Sequence, residues 1–428
     1  MLFRNISYID ENCQVKTGFV ETSEAKITYI GSEAPEGNTG RVIDGKGKLL
    51  IPAFYNAHGH SPMSLMRGYG ENMTLSDWLN KKIFPFEDKL TKNAVYWATL
   101  LSMGESAKFG IVSTSDMYYF TEDMVRAVTE SGLKANISRS IVNFTGDSFN
   151  KMESVTEMKS AVERFRKTAK GRVLMDASIH GEYTSDEATV RELSQYAKEH
   201  NLIMHIHLSE TKDEHEGCKE RHNGLTPAAY FNKCGAFDIP ALAAHCVWVT
   251  EEDIDILAEK NVTVCTNPVS NMKLASGICP THDILKRGIN LAIGTDSVAS
   301  NNNLNFFEEM KMLGLSAKIK YMDPTVLTPE EIFRAATLGG AKAQGRDDCG
   351  AVKVGNKADL VLINLEAPNM APVHNAVNNL VYAATSNEIV MTISDGKIIY
   401  EKGEYKTIDM EKTIFEVKKA KDKILKSI

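Results

Sequence analysis

The stretch Leu49-Leu50-Ile51-Pro52-Ala53-Phe54-Tyr55-Asn56-Ala57-His58-Gly59-His60 decides the architecture. An apolar run of strand length ends in two histidines two residues apart. On a strand, positions i and i+2 share a face, so both imidazoles point the same way from its C-terminal end. Upstream, residues 1–53 read as strands and turns, with alternation in Phe3-Arg4-Asn5-Ile6-Ser7-Tyr8-Ile9 and again in Lys26-Ile27-Thr28-Tyr29-Ile30. Downstream, apolar runs of strand length alternate with segments of helical period, the pattern of βα units and a parallel sheet.

The runs fall at 49–57, 111–117, 134–142, 173–180, 202–208, 241–247, 262–266 and 289–294. Eight strands with intervening helical stretches predict an α/β protein with a (β/α)8 TIM barrel. Helices are expected at 94–109, closed by Gly110, and at 122–131, 152–170 and 186–200. Two more are expected within 212–234, broken near Pro227. Another follows at 251–260, where Thr250 and Asp253 resemble a capping box with Asp in place of Glu. Thr328-Pro329-Glu330-Glu331 starts a further helix, with Thr as N-cap and Pro at its first position. After Gly350 β character returns in 358–363 and 389–393, and Asp395-Gly396 is a hairpin signal. The expected organisation is a small β-sandwich domain built from both chain ends (1–53 plus 351–408), a catalytic barrel (54–350) and a Lys-rich amphipathic helix (409–428).

Bulk properties exclude several classes. The chain has 428 residues, enough for a large barrel and a smaller domain. A net charge of -7 gives no electrostatic case for nucleic acid or an anionic membrane. No run of about 18 apolar residues offers a membrane span, and Met1-Leu2-Phe3-Arg4-Asn5 lacks a signal-peptide pattern. Seven cysteines without a C-x-x-C pair fit reduced thiols in the cytoplasm better than a disulfide framework.

The chemistry-bearing residues sit at strand ends. His58 and His60 close the first barrel strand. His205 and His207 repeat the pattern on the fifth, with Glu210 three residues on; His205 lies one pleat deeper, which favours a packing or supporting role. His245 ends the sixth strand and Asp296 the eighth, after Gly294-Thr295. Singly, each has an ordinary reading: a strand-end polar pair, a buried hydrogen-bonded histidine, an Asp capping a turn. Together they offer three imidazoles and a carboxylate for one divalent metal, with a Glu and a further His for proton transfer. That is the equipment for metal-assisted hydrolysis at the C-terminal mouth of a barrel.

These residues resemble the amidohydrolase superfamily, and within it the 5-methylthioadenosine/S-adenosylhomocysteine deaminase family, over nearly the whole chain. The most specific segments are Pro62-Met63, Leu65-Met66-Arg67-Gly68, Asp77-Trp78-Leu79, Phe84-Pro85-Phe86-Glu87 and 205–211. To these are added Asn267-Pro268-Val269-Ser270-Asn271-Met272, continuing to Gly277, and 294–302. The resemblance implies that His58, His60, His207 and Asp296 are metal ligands and that Glu210, His245 and Asp296 carry the catalysis. It implies that Glu87 holds ribose hydroxyls, that His180 contacts the substrate and that Glu210 and Asp296 face it. Arg139 would reach the sugar or its substituent; an ordinary strand-end salt bridge is the equal alternative. Barrels of this type that hold two metals bridge them with a modified Lys from the fourth strand. Here 173–180 contains no Lys, so one ion is expected: zinc, with iron, manganese or nickel also admitted.

The implied activity is deamination of an adenosine-type nucleoside (S-adenosylhomocysteine, 5'-methylthioadenosine or adenosine) to the inosine analogue and ammonia. The alternative is a related aminohydrolase or chlorohydrolase acting on guanine, a pterin or an s-triazine. An alternative of another class is a non-catalytic binding or assembly protein on the same fold, which should have lost ligands that this chain keeps. The expected partner is a small-molecule nucleoside, with no nucleic acid and no membrane, in a homo-oligomer. Three departures from the family pattern stand out: Gly59 where Thr is usual, Gly181-Glu182 within the run after His180, and Ser297 where Gly is common.

Overall fold

The computed structural model describes residues 1–37 and 40–428. It begins with β1 (Leu2–Ile9), β2 (Val15–Ser23), β3 (Lys26–Gly31), β4 (Val42–Asp44) and β5 (Lys48–Pro52). The barrel strands follow: β6 (Phe54–Gly59), β7 (Ile111–Tyr118) and β8 (Lys134–Ile141). The short β9 (Lys167–Thr168) flanks β10 (Val173–Ile179), and β11 (Met204–Leu208), β12 (Ala241–His245), β13 (Thr263–Thr266) and β14 (Leu291–Ile293) complete the set. The chain closes with β15 (Leu360–Asn364), β16 (Ile389–Ser394), β17 (Lys397–Glu401) and β18 (Glu404–Tyr405).

β6, β7, β8, β10, β11, β12, β13 and β14 pair in parallel in that order. The cylinder closes between its last and first strands through a bridge from Gly59 to Asp296, where the Asp296 amide donates to the His58 carbonyl at 3.0 Å. The expected (β/α)8 barrel is therefore present, and it closes at the histidine-bearing rim.

Strands from both chain ends form a second sheet in the order β18-β17-β16-β15-β5-β1-β2-β3, with β4 on β1. The run at 49–57 is divided between the two sheets. Ala53 separates β5, which pairs Leu49 with Ile363 and Ile51 with Val361, from β6 in the barrel. Strand alternation sorts the side chains. Leu50, Leu360, Leu362, Met391 and Ile393 join Phe3, Ile6 and Val20 in a core of their own. Leu49, Ile51, Val361, Ile363 and Ile389 face the barrel's main core instead. One hydrogen-bonded sheet thus supplies the interior of the expected sandwich and the floor under the barrel.

A buried ion-pair cluster pins that floor. Lys134 of β8 is 2% exposed and reaches Asp359 and, at 2.9 Å, Asp395; Tyr55 of β6 donates its hydroxyl to Asp359. Burial alone would raise the Asp359 carboxyl, but the Lys134 ammonium and the Tyr55 hydroxyl hold it below its usual range.

Most helices follow the sequence signals, but the one expected at 152–170 ends at Phe165, and β9 (Lys167–Thr168) pairs with β10 beyond it. Thr250 and Asp253 form the capping box of Glu251–Glu259, and Thr328 with Glu331 caps Pro329–Arg334. Asp186 caps Glu187–His200, and the break near Pro227 separates Lys212–Arg221 from Pro227–Lys233. The helix Met410–Leu425 lies on Lys92–Lys108, where a Cβ at Gly104 would collide with the Met410 side chain. Between β6 and Lys92–Lys108, the 3-10 turn Ser61–Met66 and a continuous helix over 75–87, π-helical at Leu79–Ile83 between the α-helical Leu75–Trp78 and Phe84–Glu87, roof the barrel mouth, a layer the periodicity did not foresee. No helix among the described residues is long and apolar enough to cross a membrane.

Candidate active site

The site is built where strands stop. Ser209 (φ 48°) just beyond β11, His245 (φ 73°) at the end of β12 and Asp296 (φ 56°) beyond β14 all take left-handed backbone conformations. Non-glycine residues held there cost about 1–3 kcal/mol each and concentrate at functional sites.

His58, His60 and His207 each have their Nδ1 engaged and their Nε2 turned to a common space. His60 Nδ1 donates to the Met117 carbonyl at 2.7 Å, and His207 Nδ1 to the His180 carbonyl at 2.6 Å. His58 Nδ1 meets His205 Nε2 at 2.9 Å, which gives His205 its supporting role. On the inner side, Asp296 Oδ1 lies 3.5 Å from His58 Nε2 and 3.3 Å from His60 Nε2, and His60 Nε2 lies 3.3 Å from His207 Nε2.

These residues fit a divalent ion. A tetrahedral shell with bonds of about 2.0–2.1 Å has ligand-to-ligand edges of about 3.3 Å, close to the spacings found. His58 Nε2 is buried and has no hydrogen-bond partner, a costly state for a lone pair unless a cation uses it. Burial pushes the His58 imidazole down to about 3 and His207 well below its usual range, so both are neutral, as ligands must be. Burial would raise Asp296, but its contacts with His58 and His60 hold it well below the usual carboxylate range. The hydroxyls of Ser270 (2.6 Å) and Ser300 (2.9 Å) both donate to its Oδ2, leaving Oδ1 for the shared space.

Two further titratable groups flank this cluster. His245 donates from Nδ1 to Asn271 Oδ1 at 2.7 Å and turns Nε2 inward, 3.8 Å from Glu210 Oε2. Glu210 is buried, and that burial raises its carboxyl above the usual range. A ring nitrogen of His245 also lies within 4.8 Å of ligand atoms of His58 and His207.

The cluster floors a cavity of about 70 Å³ walled by Leu75, Trp78, Leu79, Ile83 and Phe84 from the roof segment. Glu87 and His180 stand in its side wall and also line a larger adjoining cavity of about 740 Å³. Tyr118 donates to Glu87 at 2.6 Å, and burial lifts the Glu87 carboxyl to about 7. Arg139 is absent from the first cavity. It lines the second, paired to Glu157 at 2.6 Å and lying 4.7 Å over the Tyr119 ring. The structure thus brings His58, His60, His207, Asp296, Glu210, His245, Glu87 and His180 around one space and leaves Arg139 outside it.

The departures acquire local causes. Ser297 Oγ accepts from the Ser300 amide at 3.1 Å and so caps the turn after Asp296. Glu182, 1% exposed at its side chain, is gripped by Arg221 (2.6 and 3.0 Å) and His222 (2.6 Å), tying the turn after β10 to the helix after β11. Gly59 sits at the closure, where a Cβ would lie 3.3 Å from Thr114 Cγ2. Sequence reading missed the supports Asn271, Ser270 and Ser300. All three lie in quoted motifs, but nothing in the chain alone pairs them with His245 and Asp296.

This fold and site define a metal-dependent hydrolase of the barrel type, and residues 49–399 match the family model described as "Amidohydrolase family". The chain belongs to the amidohydrolase family. It is 39% identical over 413 residues to a 5-methylthioadenosine/S-adenosylhomocysteine deaminase of Acetivibrio thermocellus, covering 96% of this chain and 94% of that protein. It is 37% identical over 411 residues to a 5'-deoxyadenosine deaminase of Methanosarcina mazei, covering 96% and 94%. Among solved structures it is similar to an adenosine deaminase from Xanthomonas campestris with bound zinc, at a TM-score of 0.93 and 28% identity over 99% of this chain and 98% of that one.

Proposed function

We propose that the protein hydrolytically deaminates adenosine-type nucleosides, S-adenosylhomocysteine, 5'-methylthioadenosine or adenosine, to the inosine analogue and ammonia. The observation that carries this reading is the position of Glu87. It stands in the cavity wall beside the imidazole–carboxylate cluster, where a base would lie, and at the entrance to a second cavity with room for a sugar substituent.

His58, His60, His207 and Asp296 would hold the ion, and the three imidazoles and one carboxylate suit zinc while admitting iron, manganese or nickel. When bound, the ion supplies the Lewis acidity that makes water a nucleophile at neutral pH. Asp296 and His245 orient the attacking water and accept its proton. Glu210, its carboxyl raised by burial, donates a proton to the ring nitrogen next to the carbon that bears the amine. Attack at that carbon is followed by loss of ammonia, and the inward Nε2 of His245 stabilises the charge that develops. Glu87 accepts the ribose hydroxyls, and His180 contacts the nucleoside between base and sugar. Arg139 fronts the second cavity already paired to Glu157, which supports the strand-end salt bridge; a role toward the substrate would be at the sugar or its substituent and not the base.

The same reading assigns every one of these residues to a catalytic unit at 54–350. The β-sandwich (1–53 plus 351–408) and the terminal helix (409–428) stand outside the chemistry. Seven unpaired, buried cysteines support a cytoplasmic setting, and we take the protein as a homo-oligomer.

Ammonia release from adenosine, 5'-methylthioadenosine and S-adenosylhomocysteine under steady-state conditions tests the proposal, with guanine and an s-triazine as controls. Turnover of a nucleoside by the metal-loaded protein is expected. Turnover of the free heterocycles alone would overturn it.

A further inference from the structure

The helix Lys212–Arg221 opens with Thr211 as N-cap, its hydroxyl accepting from the Glu214 amide at 3.1 Å. In an ordinary capping box the acidic residue at this position reaches back to the N-cap amide. Glu214 reaches further. Its Oε2 accepts from the Glu210 amide at 2.7 Å and its Oε1 from the Ser209 amide at 2.9 Å. The carboxyl is buried, and none of the ion pairs among the described residues includes it. A buried carboxylate without a cation is costly, so its two backbone bonds are the compensation the structure offers.

The turn it holds is strained. Ser209 lies at φ 48°, a left-handed conformation for a residue with a Cβ. From the other side, the amides of Val247 (3.1 Å) and Trp248 (2.9 Å) donate to the Ser209 carbonyl. The peptide that aims Glu210 is thus clamped at both ends, and Glu214 supplies one whole jaw.

We propose that Glu214 is a positioning residue: it fixes the Ser209–Glu210 turn and thereby the placement of the Glu210 carboxyl beside His245. This rests on the reading of Glu210 as the proton donor. It requires that Glu214 act through Glu210 and through nothing else at the site.

The test uses the metal-loaded full chain and four forms: wild type, Glu214→Gln, Glu210→Gln and the double variant. Glutamine keeps the shape but offers one acceptor oxygen, so one of the two amides meets an NH₂ group. Displacements of about 1 Å at reacting groups cost on the order of 10²-fold. Glu214→Gln is therefore expected to lower kcat about 10- to 100-fold with KM within about threefold of wild type and an unchanged metal content. The double variant is expected to be no slower than Glu210→Gln alone. Wild-type kcat in Glu214→Gln would overturn the proposal, as would a double variant slowed relative to Glu210→Gln by the full factor seen in the single variant. A fully active Glu210→Gln would instead remove the reading of Glu210. Should Glu214→Gln be too unstable to assay, Glu214→Asp, which keeps the charge one methylene short, carries the same expectations and the same reversal.

Discussion

The Asp296 amide donates to the His58 carbonyl at 3.0 Å, and the carboxylate of the same residue stands 3.5 Å from the His58 imidazole. The contact that closes the cylinder and the contact that assembles the ligand cluster are made by one pair of residues. The backbone does the first job and the side chains do the second, so they can be separated by mutation.

Asp296→Asn keeps the backbone bridge and removes the charge. The expected outcome is a folded protein with less bound metal and little activity, read by elemental analysis alongside ammonia release. A fully active, fully loaded variant would contradict the ligand assignment. Chelation of the wild type should lower its melting temperature, because a ligand that binds only the folded state stabilises it by mass action; the same treatment should shift Asp296→Asn less.

Glu210→Gln should retain the metal and lower turnover by about 10²- to 10⁴-fold, the usual weight of a positioned proton donor. Metal content and kcat measured on one preparation check both halves.

Glu87 gives a pH dependence. Its burial-raised value of about 7 leaves it largely protonated below that pH and ionised above it. Ribose hydroxyls donate best to the carboxylate, so nucleoside binding is coupled to proton release. KM for a nucleoside should therefore rise as pH falls through about 7. In Glu87→Gln that slope should vanish and KM should be higher throughout.

The Glu182 clamp should matter for loop order. Glu182→Gln leaves Arg221, whose side chain is 45% exposed and can turn to water, so the loss should be moderate, about 1–3 kcal/mol. Because Tyr183 on the same turn lines the first cavity, KM should rise more than kcat falls. Thermal unfolding and steady-state kinetics on the two proteins decide it.

Lys134→Met strands two buried or half-buried carboxylates and should cost about 3–5 kcal/mol at neutral pH. The sign with pH follows from Asp359, whose folded-state value is held below its unfolded one. Its contribution is present above the unfolded value and is lost as pH falls through the folded one. The gap between variant and wild type in urea unfolding should therefore narrow in acid.

Much of this architecture was legible in advance for physical reasons. His58 and His60 announce a shared face by their spacing, and the apolar runs ending at His207, His245 and Asp296 mark strand ends where barrels place chemistry. Thr250, Asp186 and Thr328 act locally, through amides three residues away, so the helix starts could be read directly. The supports could not. Asn271 serves His245, Ser270 serves Asp296 and Glu157 occupies Arg139 because the folded chain brings them together. The roof helix at 75–87 was hidden because the π-helical stretch Leu79–Ile83 breaks the 3.6-residue period in its middle. The split of 49–57 at Ala53 was hidden because both halves are equally apolar, each being covered on both faces.

The floor sheet also bears on how the molecule is made. Leu49 pairs with Ser7 on one side and with Ile363 on the other, so β5 leaves the ribosome long before the strand that covers its open side. Until then its backbone donors and acceptors are an invitation to pair with any passing strand. A nascent chain halted short of Ile363 should accumulate as aggregate, and the catalytic cylinder should be hard to obtain as an independent fragment even though it holds all the chemistry.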